Sequence, residues 1–118
     1  MVDYDEIVRG LRAWTRNHDG HVRAAVELLI THETWIASTA FARVCIKTDR
    51  GESRIDWDRA AKFTSPNAPG SSSQKAILDF AVALGTDRFR LRFASDEDAR
   101  ASVRAVATAT GLEEMLHA

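Results

Sequence analysis

Two histidines lie three positions apart in His18-Asp19-Gly20-His21, a spacing that invites a metal reading. Zinc takes about four ligands, and the second pair is missing. Cys45, His32 and His117 would have to join from a distance, so a polar turn followed by a helix cap is the plainer reading. Cys45 with His32 would make a nucleophile and its base. A catalytic thiol needs an electropositive, partly exposed setting that lowers its pKa. Cys45 instead stands between Val44 and Ile46, the setting of a small buried hydrophobe. Asp56 and Asp58 flank Trp57 and could bind magnesium or act as an acid–base pair. A helix N-cap with a favourable first-turn charge explains both carboxylates more cheaply.

Ser71-Ser72-Ser73 offers hydroxyls and amides to an anion at a helix start, but no glycine-rich phosphate loop or partner lysine accompanies it. Trp14, Trp35 and Trp57 suggest stacking, yet Trp14 lies on a core stripe and Trp57 on the inward side of a hairpin. Trp35 is the least constrained and is expected to be available for contact. The strongest feature is a ladder of arginines. Arg88, Arg90 and Arg92 alternate with Phe89, Leu91 and Phe93, which places the guanidinium groups on one side of a strand. Arg100 and Arg104, at i and i+4, fall along one edge of the helix that follows. Together they could bind phosphates or an acidic protein surface. The competing reading is a solvated face that blocks edge pairing.

These groups need elements to hold them. Tyr4, Ile7, Leu11 and Trp14 recur at helical spacing and predict a helix over 3–16, with acids at its start and arginine at its end. Asp19 is placed to cap a second helix carrying Val22, Ala25, Val26, Leu29 and Ile30. Residues 31–43 are ambiguous, with Thr34 as a cap for a short helix through Ile36, Ala40 and Phe41. The period then shifts to two, and a β-hairpin is expected with a loop of about three to five residues containing Gly51. Asp56 or Asp58 starts a short helix, and 64–73 is a loop. A helix over 73–84 turns Ile77, Phe80, Ala81 and Leu84 to one face. A strand over 88–93 follows. Ser95 then caps a last helix whose inward residues are Ala99, Val103, Val106, Ala107 and Thr110, ended by Gly111.

The expected fold class is α+β, a single domain over 1–118. It is a small antiparallel sheet of about three strands with about four to five helices in one layer on one face. Apolar content of 45% and charged content of 28% are globular values, and 118 residues bury a core without staples. A net charge of −1 gives no general attraction to nucleic acid or anionic lipid. Thirteen arginines against three lysines, with abundant alanine, suggest a GC-rich genome. A lone cysteine excludes an intrachain disulfide. The start at Met1 has no charged-then-apolar leader, and no run approaches the roughly 20 apolar residues of a membrane span. A cytoplasmic location is the expectation.

The run from Arg54 through Asp56, Trp57 and Asp58 to Ala60, the serine loop, and the stretch from Ala76 through Phe80 to Leu84 resemble a pattern in short uncharacterised actinobacterial proteins. The resemblance covers about half the chain and implies a bacterial or phage origin; it brings no activity, cofactor or catalytic residue. On the residues themselves, the expected function is a small non-enzymatic accessory or regulatory module that binds a protein partner. Arg88, Arg90, Arg92, Arg100, Arg104 and Trp35 are its candidate contacts. A nucleic-acid-binding protein using the arginine face is the alternative, and a small hydrolase or metal-dependent enzyme the third reading. No cofactor, metal or membrane partner is expected.

Overall fold

The computed structural model describes residues 4–90, 95–112 and 114. Among the described residues six helices and one hairpin follow in the order α1 (Tyr4–Thr15), α2 (Gly20–His32), α3 (Thr39–Cys45), β1 (Ile46–Asp49), β2 (Glu52–Ile55), α4 (Trp57–Lys62), α5 (Ser72–Gly85) and α6 (Asp96–Thr110). The class is α+β, more helical than expected, with two strands among the described residues. None of the helices there is long and apolar enough to cross a membrane.

The first two helices follow their apolar spacing. Ile7, Gly10, Leu11 and Thr15 of α1 are buried, and Tyr4 and Trp14 pack against the core. Val22, Ala25, Val26, Leu29 and Ile30 of α2 are buried, the arc expected from the sequence. Arg12 spans the two helices with bonds of 3.0 and 3.2 Å to the Glu27 carboxylate. Asp19 holds the cap position of α2, and its carboxylate lies 3.7 Å from His21 Nε2.

Residues 34–45 resolve differently from the expected cap at Thr34. Ser38 is the cap of α3 and accepts from the Phe41 amide at 3.3 Å. Trp35 and Ile36 enter the core from the turn ahead of it. Cys45 ends α3 instead of lying in a strand, and it is fully buried there. Trp35, Phe41 and Phe63 form an aromatic cluster with ring centroids 5.3–6.2 Å apart. Edge-on and tilted rings at this range gain from their quadrupoles as well as from burial.

The hairpin pairs Ile46 with Ile55, Lys47 with Arg54, Thr48 with Ser53 and Asp49 with Glu52. Its turn is two residues, Arg50 and Gly51, not three to five, and both have positive φ, 53° and 82°. Turns of this hand match the twist of the flanking strands. Of the two carboxylates that could start α4, Asp56 is the cap and accepts from the Arg59 amide at 3.1 Å. Helix α1 lies across β2, and Gly10 makes the close approach possible: a Cβ there would stand 2.8 Å from the Ser53 nitrogen. Helices α2 to α5 pack mainly on one another, α2 on α5 and α4 on α3 and α5, so they do not form one layer over the sheet. A two-stranded hairpin is too narrow to cover so many helices.

Two departures concern the C-terminal third. Helix α5, started by a reciprocal Ser71–Gln74 capping box, buries Leu78, Ala81, Val82, Ala83, Leu84 and Gly85, and leaves Phe80 outside. Its apolar residues run nearly all round, so periodicity alone does not select the buried face. Gly85 lies under the Trp57 ring, where a Cβ would come to 2.5 Å from Cζ2. The expected strand over 88–93 is not present in its described part. Arg88 and Phe89 lie in a turn, Arg90 has φ 48°, and its amide donates to the Asp87 carbonyl at 3.1 Å. Residues 91–93 lie outside the described residues.

Candidate functional site

Helix α6 has sound ends. Ser95 accepts from the Asp98 amide at 3.2 Å, three acids fill the first turn, and Gly111 closes it at φ 75°. Yet none of its 15 residues is buried. Val103 is 57% and Val106 53% exposed, against the expectation that both point inward. Their spacing is that of a core stripe, and the described part of the chain provides nothing to bury it. The radius of gyration is 15.2 Å, against about 13.5 Å for a compact chain of this length, as befits an element outside the core.

A second apolar feature follows α5. The Thr86 and Arg88 amides donate to the Val82 and Ala83 carbonyls at 3.0 and 2.9 Å, folding the chain back over the helix end. Asp87 takes φ 56° to make the reversal. Phe89 is thereby brought against Phe80, with ring centroids 5.8 Å apart. Both rings remain in solvent, 43% exposed for Phe80 and 50% for Phe89. Sequence reasoning assigned Phe80 and Phe89 inward. The signal that would have found them is the excess of apolar residues around α5, more than one buried face can use.

The arginines are dispersed relative to the expected ladder. Arg88 and Arg90 line a shallow surface depression of ≈ 600 Å³ with Thr86 and Asp87. Arg100 and Arg104 are exposed on α6, and Arg92 lies outside the described residues. No salt bridge among the described residues engages Arg88, Arg90, Arg100 or Arg104. Trp35 is not a contact residue: it is buried, and its Nε1–H donates to the Gln74 carbonyl at 2.9 Å. That bond fixes the start of α5 against the aromatic cluster.

His18, His21 and Asp56 have structural partners. His18 Nδ1 lies 2.6 Å from the Trp14 carbonyl, and His21 Nδ1 lies 3.0 Å from the Leu84 carbonyl. A carbonyl only accepts, so in each ring Nδ1 carries the proton. No group of three or more His, Cys, Asp or Glu among the described residues is placed to hold a metal. Asp56 lies 3.5 Å from Arg59 Nε in addition to its capping bond. His32 Nε2 is shielded from solvent with no hydrogen-bond partner among the described residues.

Burial pushes the Cys45 thiol from the ordinary 9.0 up to about 11; Asp56 adds to the rise and Arg59 opposes it. At neutral pH the thiolate is then about a hundredfold scarcer than in an ordinary cysteine. A disulfide reagent should label Cys45 slowly in the folded protein and rapidly in denaturant. Because the folded pKa is the higher one, this contribution to stability is whole below pH 9.0 and is lost as pH rises through about 11. Urea titrations across that window should show a fall that is smaller in Cys45→Ala, where the Tyr4 phenol, also pushed up by burial, still contributes. Rapid labelling of native protein at neutral pH would instead identify a reactive thiol.

No protein family, curated protein or solved structure matches this chain in comparison with known proteins.

Proposed function

We propose that this chain is a small accessory or regulatory module acting through protein–protein contact. Its contact surface is the apolar side of α6, and the exposed Phe80–Phe89 pair is a second apolar feature. The observation that carries the reading is the exposure of Val103 and Val106 on a well-capped helix with no buried residue. Apolar stripes at core spacing are costly to leave in water, and contiguous ones mark interaction sites. Arg100 and Arg104 on the same helix make no salt bridge among the described residues and supply charge beside the stripe.

Nucleic-acid binding is the second reading, favoured by Arg88 and Arg90 at one depression. It is weakened by Asp96, Glu97 and Asp98 at the start of α6 and by a net charge of −1. A hydrolase reading has less support: burial holds the Cys45 thiol neutral, and Asp56 is occupied as a cap.

Affinity capture from native cytosol, assayed for protein and nucleic acid, separates these readings. Val103→Ser with Val106→Ser should abolish capture of a protein partner and shift Tm by no more than about 3 °C, because both sites are exposed. Arg88→Ser with Arg90→Ser should weaken capture only modestly. If the arginine pair alone abolishes capture, and binding falls steeply with salt, the nucleic-acid reading replaces this one. Unchanged capture by both double variants rejects both surfaces.

A further inference from the structure

We propose that β1 is the pairing edge of a symmetric dimer, in which a second copy of this chain extends the hairpin into a four-stranded antiparallel sheet. The proposal concerns a different surface from α6 and does not depend on it.

The Asp56 amide donates to the Cys45 carbonyl at 2.8 Å, which makes Cys45 and Asp56 a hydrogen-bonded pair of the ladder. Bonded and non-bonded pairs alternate in antiparallel strands. With the observed register, Lys47–Arg54 and Asp49–Glu52 are therefore bonded pairs, and Ile46 and Thr48 turn their backbone groups away from β2. The side chains agree: Thr48 Oγ1 and Ser53 Oγ meet at 2.9 Å, as the closer, non-bonded pairs do. The Ile46 amide is taken by the Ala42 carbonyl at the end of α3. The Thr48 amide and carbonyl have no strand beside them among the described residues. Residues of β1 after Ile46 are exposed.

The charges say what fits there. The register sets like charges opposite each other, Lys47 against Arg54 and Asp49 against Glu52. Such pairs are unfavourable. Arg54 and Glu52 find each other at 3.6 Å along β2, while Lys47 and Asp49 have no salt bridge among the described residues. A second β1, antiparallel and centred on Thr48, answers both needs. Its Thr48 exchanges two backbone bonds with the first Thr48. Its Asp49 falls opposite Lys47, and its Lys47 opposite Asp49. Each outer-face row then runs Arg54, Lys47, Asp49, Glu52 across the four strands, two positive charges meeting two negative.

The packing allows it. The two-fold axis is perpendicular to the sheet, so both copies of α1 lie on one face. A groove of ≈ 1010 Å³ opens beside this edge, lined by Tyr4, Ile7, Ile36, Ala42 and Ile46 among others. The second copy would cover it. Isologous contacts of this kind are the commonest route to a dimer.

Sedimentation of the full chain over a concentration series tests the proposal. The wild type should dimerise. Lys47→Asp alone, or Asp49→Lys alone, turns both attractions into repulsions and should weaken the dimer at least tenfold. The double exchange should restore it, and an equimolar mixture of the two single variants should form a heterodimer. Val103→Ser with Val106→Ser should dimerise as the wild type does, so failure here is distinct from failure of the α6 reading. Hydrogen exchange needs no variant: the Thr48 amide should exchange fast in dilute protein and at least tenfold slower at dimer concentrations. A wild type that stays monomeric at its solubility limit overturns the proposal. So does a dimer indifferent to the single reversals, or one whose Thr48 amide exchanges fast.

Discussion

Phe41→Ala is expected to cost about 3–5 kcal/mol of unfolding free energy, the range for removing a phenylalanine from a packed core. Phe41 is fully buried at the first turn of α3. Its ring stands 5.7 Å from Trp35 and 5.3 Å from Phe63. Truncation removes the burial of the ring, both edge contacts and the support that holds Trp35 over the start of α5. A domain of this size has about 5–15 kcal/mol in total, so the loss is about a fifth of it at the least. Urea denaturation followed by tryptophan emission measures the loss. Phe80→Ala is the matched control. The same residue type is removed from a ring 43% exposed and outside the core, and the loss should stay near or below about 1 kcal/mol. Equal losses at the two positions would mean that Phe41 is not the centre of the cluster.

Gly10→Ala should destabilise by about 1–3 kcal/mol, the usual cost of forcing atoms into a packed site. On an exposed helix the same change would gain about 1 kcal/mol from propensity. Here the new methyl would stand 2.8 Å from the Ser53 nitrogen and 2.9 Å from its Cβ. Backbone in a paired strand cannot swing aside, so α1 must lift from β2. The Ser53–Thr48 hydroxyl bond would be disturbed with it. Gly20→Ala provides the contrast. A Cβ at Gly20 meets nothing within 4 Å, and the change should be neutral or stabilising by up to about 1 kcal/mol. Opposite signs for the two glycines, measured in the same urea series, are the expected result. Gain at both would show that α1 does not approach β2 this closely.

Particular elements show why parts of this fold are legible in the chain and others are not. The arc on α2 was readable because Arg23 and Glu27 interrupt its apolar residues, leaving one face to bury. The caps at Asp56 and Ser95 were readable because the side chain bonds a backbone amide three residues on, a local event. The hairpin was readable from the change of period, but its two-residue turn was not, because Arg50 adopts a left-handed conformation that glycine or asparagine ordinarily occupies. In the candidate site, Arg88, Arg90, Arg100 and Arg104 are indeed at the surface, while Trp35 is not.

By itself the sequence determined the α+β class, the approximate spans of most helices, the caps at Asp56 and Ser95, the position of the hairpin turn and the apolar setting of Cys45. Each depends on neighbours within a few positions, where propensity and hydrogen bonding act directly. Ala81 and Leu84 of α5 are buried as the spacing has them, but tertiary structure decided that Phe80 stays outside and that Gly85 goes under the Trp57 ring. It also decided that Trp35 is buried and that α6 is not. Periodicity states that a stripe is fit to be covered. What covers it depends on whether another surface arrives, and on α6 none of the described chain does.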